Sequence, residues 1–106
     1  MVIQTNYKED ISKYTSKVND AALAAIIKFC GIALRSEDSQ YVAVTDDVEV
    51  KRVVNGFAAK KLGLDADAAR AGIKKVHEAM KADRTKMRTT VYYLLAENTG
   101  TLGKLA

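Results

Sequence analysis

The chain has 106 residues, 48% apolar and 28% charged, a balance that suits one soluble globular domain and excludes a disordered chain. One cysteine excludes an internal disulfide, and one histidine and one cysteine, 47 positions apart, exclude a clustered zinc site. The net charge of +4 is uneven: residues 1–50 carry 5 basic and 8 acidic side chains, residues 51–106 carry 12 and 5, an asymmetry used by charged partners and oligomers but also tolerated on a solvated surface.

There is no proline, so helices are free to be long and Gly, Asn, Asp and Ser supply the punctuation. "MVIQTNYKED" lacks the charged start, apolar stretch and cleavage site of a signal peptide. A short first helix is predicted from an Asn6 cap, with Tyr7, Ile11 and Tyr14 on one face. A second begins after Asn19 or Asp20 and runs to about Arg35, with Leu23, Ile26, Ile27, Cys30 and Leu34 as its stripe. Phe29 and Ile32 make it apolar around most of its circumference, which marks it as the central helix. Its core "ALAAIIKFCGIAL" is too short, and too interrupted by Lys28, to cross a bilayer. A cytoplasmic location is the expectation.

"YVAV", residues 41–44, reads as either a short strand or one helical turn. Thr45 with Asp46 and Asp47 looks like an N-cap and acidic first turn, opening a third helix to Leu62 that buries Val50, Val53, Val54 and Phe57. A rival reading takes Asn55–Gly56 as a hairpin turn, giving an α+β fold with a small hairpin around residues 40–57. The helix is preferred because "FAAKKL" consists of helix formers without a β-branched residue. Gly63 then closes the third helix and Asp65 caps a fourth, whose core stripe is Ala69, Ile73, Val76 and Met80. The chain is expected to bend or break near Ala82–Asp83. A last helix, with Met87, Val91, Leu94 and Leu95 inside, follows to about Asn98, and Gly100 stops it.

The chemistry-bearing residues are few. The pairs Glu37–Asp38 and Asp46–Asp47 lack an EF-hand pattern and read as caps. Cys30 sits in an apolar stripe, as a core thiol does, and His77 is a lone base without an evident partner. Neither GxGxxG nor GxxxxGK occurs. No catalytic, cofactor or metal residue is assigned, and a small enzyme using His77 or Cys30 is the weakest reading.

"AAKKLGLDADAARAG", residues 58–72, has the turn of a helix-turn-helix, but the reading positions would be Ala66, Asp67, Ala68, Arg70 and Ala71. Two acids, Asp65 and Asp67, would repel phosphates, and alanines read almost nothing. A basic band makes a better surface. At about 100° per residue, Lys74, His77, Lys81, Arg84 and Arg88 all fall within about 40° of Arg70, provided that the helix is continuous. Such a face can meet an acidic protein, a second copy or phosphates; as a solvated face it would hold Lys74 and Glu78 in an i,i+4 pair. Tyr92 and Tyr93 lie just beyond the band, where aromatics can stack on single-stranded bases or simply pack.

"GIALRSEDSQYVAV", "FAAKKLGL" and especially "MKADRTKMRTTVYYLLAEN", in that order, resemble a family of small bacterial proteins defined only as domain of unknown function 2853 (DUF2853). The resemblance spans about residues 19 to 105. Where related chains have Pro before the third helix this chain has Asp47, and both residues suit a first turn. The resemblance implies a cytoplasmic bacterial protein, helical, with no assigned functional residues.

The expected fold is therefore all-α: four main helices and a short N-terminal one in a single domain over residues 1–106. The expected function is a non-enzymatic binding or interaction module. Its candidate contact surface is Arg70, Lys74, Lys81, Arg84 and Arg88, with His77, Tyr92 and Tyr93 as weaker candidates. The partner is a protein or a second copy, nucleic acid is the alternative, and neither a membrane nor a cofactor is expected.

Overall fold

The computed structural model describes residues 7–15, 18–30, 41–42, 47–81 and 86–105. In chain order these form α1 (Tyr7–Ile11), α2 (Asp20–Cys30), β1 (Tyr41–Val42), α3 (Asp47–Val53), a π-helical segment continuing it (Val54–Leu62), α4 (Ala66–Ala79), β2 (Lys86–Met87), α5 (Arg88–Asn98) and a 3-10 turn (Leu102–Lys104). The fold is all-α, four main helices and a short first one. β1 and β2 add only a two-residue antiparallel pairing, Tyr41 opposite Met87 and Val42 opposite Lys86. Tyr41 and Val42 are thus extended, but their partner is not the Asn55–Gly56 region: those two residues lie inside the π segment and no hairpin forms there. The Asn6 and Thr45 caps, the continuation of the second helix to Arg35, the Cys30 side chain and Arg84 lie outside the described residues. No helix among the described residues is long and apolar enough to cross a membrane.

The centre of the molecule is α5, not α2. Every residue from Arg88 to Ala96 is buried, whereas α2 turns Ala21, Ala24 and Lys28 to solvent and buries Ala22, Leu23 and Ile26. α1, α2, the π segment and α4 all pack on α5. Hydropathy underrated this helix because its Thr and Tyr side chains have polar tips; three of these tips are hydrogen-bonded, and the Thr89 hydroxyl is buried without a partner among the described residues. The Tyr93 hydroxyl accepts the Asn19 N–H at 2.7 Å, and the Tyr92 hydroxyl accepts from Arg88 Nη1 at 3.0 Å. The Thr90 hydroxyl donates to the Asp10 carboxylate. The Tyr92 ring stacks on Phe57, centroids 4.2 Å apart.

At five residues, α1 is too short to persist alone. It is held by the fully buried Ile11, by Thr90, and by the Thr15 hydroxyl, which donates to Glu97 at 2.8 Å. Thr90, Tyr93 and Glu97 are spaced i, i+3, i+7, so one stripe of α5 carries the tethers to the segment before α2.

The π segment follows from the side-chain pattern. In an α-helix Lys61, eleven positions after Val50, completes about three turns and returns to the buried face. Leu62 would then point away from it. Here Lys61 is exposed and Leu62 is fully buried. The buried positions recur at 53/54, 57/58 and 62, a step of four to five residues that a wider i→i+5 helix accommodates. The widening also displaces the closing bond. Gly63, at φ 66°, and Leu64 both donate their N–H groups to the Ala58 carbonyl, one residue further back than an α-helix ending in the same way would use.

Candidate contact surface

The turn Gly63–Asp65 brings α4 back across the π segment. Asp65 caps α4, its Oδ1 accepting the Ala68 N–H at 2.8 Å. Ala69, Gly72, Ile73 and Val76 form the inner face, and Met80 at the C-cap is also buried. Gly72 marks the closest approach to α5: a Cβ there would lie 2.6 Å from Leu95 Cδ1 and 2.8 Å from Thr99 Cγ2. The position where a DNA-reading corner usually has an apolar packing residue is here the place where two helices meet without a side chain between them. The helix-turn-helix outline therefore exists, while the exposed start of α4 offers Ala66, Asp67, Arg70 and Ala71.

Opposite the inner face, Arg70 and Lys74 stand in solvent, with Lys75 and Glu78 beside them. Lys81, just past the end of α4, is also exposed. Among the described residues none of Arg70, Lys74 and Lys81 is in an ion pair, and the Lys74–Glu78 pair suggested by spacing does not form. His77 is half-buried at the margin of this face, its Nδ1 buried and without a hydrogen-bond partner. No group of three His, Cys, Asp or Glu among the described residues could hold a metal ion.

The five-cation stripe is not one surface. α4 ends at Ala79, and Met87 is extended, φ −66° and ψ 135°, where it pairs with Tyr41. The interruption removes the phase relation on which the alignment depended. Arg88 consequently faces inward, 9% exposed. Besides donating to Tyr92, its guanidinium lies 3.8 Å from the Glu49 carboxylate and 5.8 Å from the Tyr92 ring centroid. Glu49 also faces Arg52 at 3.7 Å. Arg88 is thus an interior cation with an acid beside it, which burial requires of a charge. Tyr92 and Tyr93 are interior as well, so neither offers a ring for stacking on a partner.

Sequence reasoning missed Glu49 as the partner of Arg88, because the two are 39 positions apart and nothing local links them. It also passed over Lys60, Lys61 and Lys104. The first two stand exposed at the end of the π segment. Lys104 Nζ lies 2.9 Å from where a Gly63 Cβ would be, which brings a third ammonium onto the same turn.

A family model described as protein of unknown function (DUF2853) matches residues 6–103. The chain belongs to the DUF2853 family. Its match takes in α1 through α5 and the turn bearing Lys60, Lys61 and Arg70. No curated protein matches the chain. For this DUF2853 protein, the side chains themselves are the guide to function.

Proposed function

We propose that this DUF2853 protein is a non-enzymatic interaction module that meets an acidic macromolecule through the outer face of α4. The observation that carries the reading is the contrast between its cations. Arg88 is drawn inside beside Glu49, whereas Arg70, Lys74 and Lys81 stand in solvent and form no ion pair among the described residues. Exposed cations gathered on one face raise the local potential and attract negative partners. His77 at the margin of the same face is best read as packing against the core edge. An enzymatic role is not favoured, since His77 Nδ1 has no hydroxyl or carboxylate within hydrogen-bond reach.

The test uses a defined acidic probe. Labelled poly-glutamate is titrated with the protein at low and at physiological salt, and self-association is followed by sedimentation velocity under the same conditions. The reading expects association that weakens with salt and falls at least about tenfold in the variant R70Q/K74Q/K81Q, the loss of roughly 1.4 kcal/mol of binding. Equal behaviour of variant and wild type, or neither poly-glutamate binding nor self-association at low salt, would remove it.

A further inference from the structure

Residues 51–81, all described, form the end of α3, the π segment and α4, and every charged side chain among them is exposed: eight cations against three acids. The exposed apolar residues of this stretch are all alanines. That matters for the choice of partner. A protein–protein contact draws most of its affinity from a few anchors, chiefly Trp, Tyr and Arg, and this stretch exposes arginines but no aromatic residue. A phosphate backbone needs only positive charge, delivered at intervals, and the released counterions supply the free energy.

The charge is concentrated where the chain turns. Lys60 and Lys61 lead into Gly63 from the π segment, and Lys104 reaches the same glycine from the 3-10 turn. Arg70 and Lys74 stand exposed further along α4. Lys61 Nζ lies 5.6 Å from the centre of the Phe29 ring, which directs that ammonium without neutralising it. The N-terminus of α4 is not part of the contact, since the Asp65 carboxylate caps it by accepting the Ala68 N–H and Asp67 adds negative charge. Nor is that end equipped to read a sequence: exposed Ala66 and Ala71 have no polar side-chain group and Asp67 is negative, which leaves Arg70 alone to reach a base edge.

We infer that the end of the π segment, with Lys60, Lys61 and the neighbouring Lys104 as anchors, is a phosphate-backbone contact for a nucleic-acid strand, bound without regard to base sequence, and that Arg70 and Lys74 add to it from α4. This deepens the reading of α4 as a basic contact face and rests on it.

The experiment is fluorescence anisotropy with labelled duplex DNA, single-stranded DNA and single-stranded RNA of two unrelated sequences each, over a salt series, with poly-glutamate in parallel. Wild type is compared with K60Q/K61Q/K104Q, with R70Q/K74Q, and with the control K13Q/K51Q, whose exposed lysines lie just after α1 and in α3; circular dichroism checks that each variant is folded. The expectation is binding independent of sequence, with log K falling linearly against log salt. Each phosphate contact contributes about −0.9 to that slope on duplex and about −0.7 on single strands, so the triple variant should flatten it by about 2–3. The control should bind as wild type does. Nucleic-acid binding that survives the triple variant unchanged, or that depends on base sequence, overturns the inference. Binding to poly-glutamate but not to nucleic acid overturns it too and leaves the basic face standing. No binding to any polyanion at low salt ends both.

Discussion

Replacing Gly72 by alanine would place a methyl group where α4 and α5 touch. Considered as helix alone, the change is favourable by about 0.8–1.0 kcal/mol, since alanine loses less backbone entropy than glycine. The contact opposes it. The added Cβ would lie 2.6 Å from Leu95 Cδ1 and 2.8 Å from Thr99 Cγ2, both well inside van der Waals separation. Leu95 is fully buried. The Thr99 hydroxyl donates to the Leu95 carbonyl at 2.7 Å and lies 2.8 Å from the Thr101 hydroxyl, so turning Thr99 aside breaks bonds. Overpacking typically costs about 1–3 kcal/mol, and two tight contacts with held neighbours place this case in the upper half of that range. The difference is a net destabilisation of about 1–2 kcal/mol. In urea, with a slope of about 1–2 kcal/mol per molar for a chain of this size, the unfolding midpoint followed by circular dichroism should fall by about 1 M. Combining Gly72→Ala with Leu95→Ala should be less damaging than the sum of the two, by at least about 1 kcal/mol, because the shortened side chain leaves room for the new methyl. A midpoint unchanged or raised in Gly72→Ala, or strict additivity in the pair, would refute the close packing of α4 on α5.

Gly56 is the counterpart, with nothing within 4 Å of a Cβ and no positive φ; Gly56→Ala should be neutral or stabilise by up to about 1 kcal/mol in the same titration, and a clear loss would contradict the open surface there. Arg88→Met leaves Glu49 without its interior cation and the Tyr92 hydroxyl without that donor. It should cost roughly 2–4 kcal/mol, while Arg70→Gln and Lys74→Gln stay within about 0.5 kcal/mol of wild type; equal midpoints for all three would place Arg88 on the surface. Tyr93→Phe deprives the Asn19 N–H of its acceptor, a loss of about 1–2 kcal/mol, visible as a melting temperature lower by at least about 4 °C.

What could be read from the sequence was local. Gly63 as a left-handed helix end, Asp65 as a cap and the stripe Ala69, Ile73, Val76, Met80 each depend on near neighbours, and all three are found. Three features depend on distant residues or on departures from a regular period. The Lys61–Leu62 order was the sign of a π segment, but a helix assumed to repeat every 3.6 residues hides it. The break after Ala79 was anticipated within a few residues, yet its consequence for Arg88 was not, since a single interruption changes the phase of everything downstream. α5 was passed over as the centre because "TTVYYLL" carries four hydroxyls, and the partners of Thr90 and Tyr93, Asp10 and Asn19, lie more than seventy residues away. The candidate contact surface was correspondingly legible on α4, where Arg70 and Lys74 share a face by local geometry, and not at the Gly63 turn, which Lys104 reaches only in the folded chain.

The position of α5 in the chain has a consequence for biosynthesis. It comes after every helix it holds together, so during translation the inner faces of α2, the π segment and α4 are made first and wait uncovered. At about 5–20 residues per second, the eleven residues of α5 alone occupy the ribosome for roughly a second. A nascent chain stalled before Arg88 would present Phe57 without the Tyr92 ring that stacks on it, and the inner face of α4 without α5, the state that chaperones and proteases recognise. Core formation therefore waits for α5, and a premature stop anywhere before it should yield a degraded fragment rather than a partial fold.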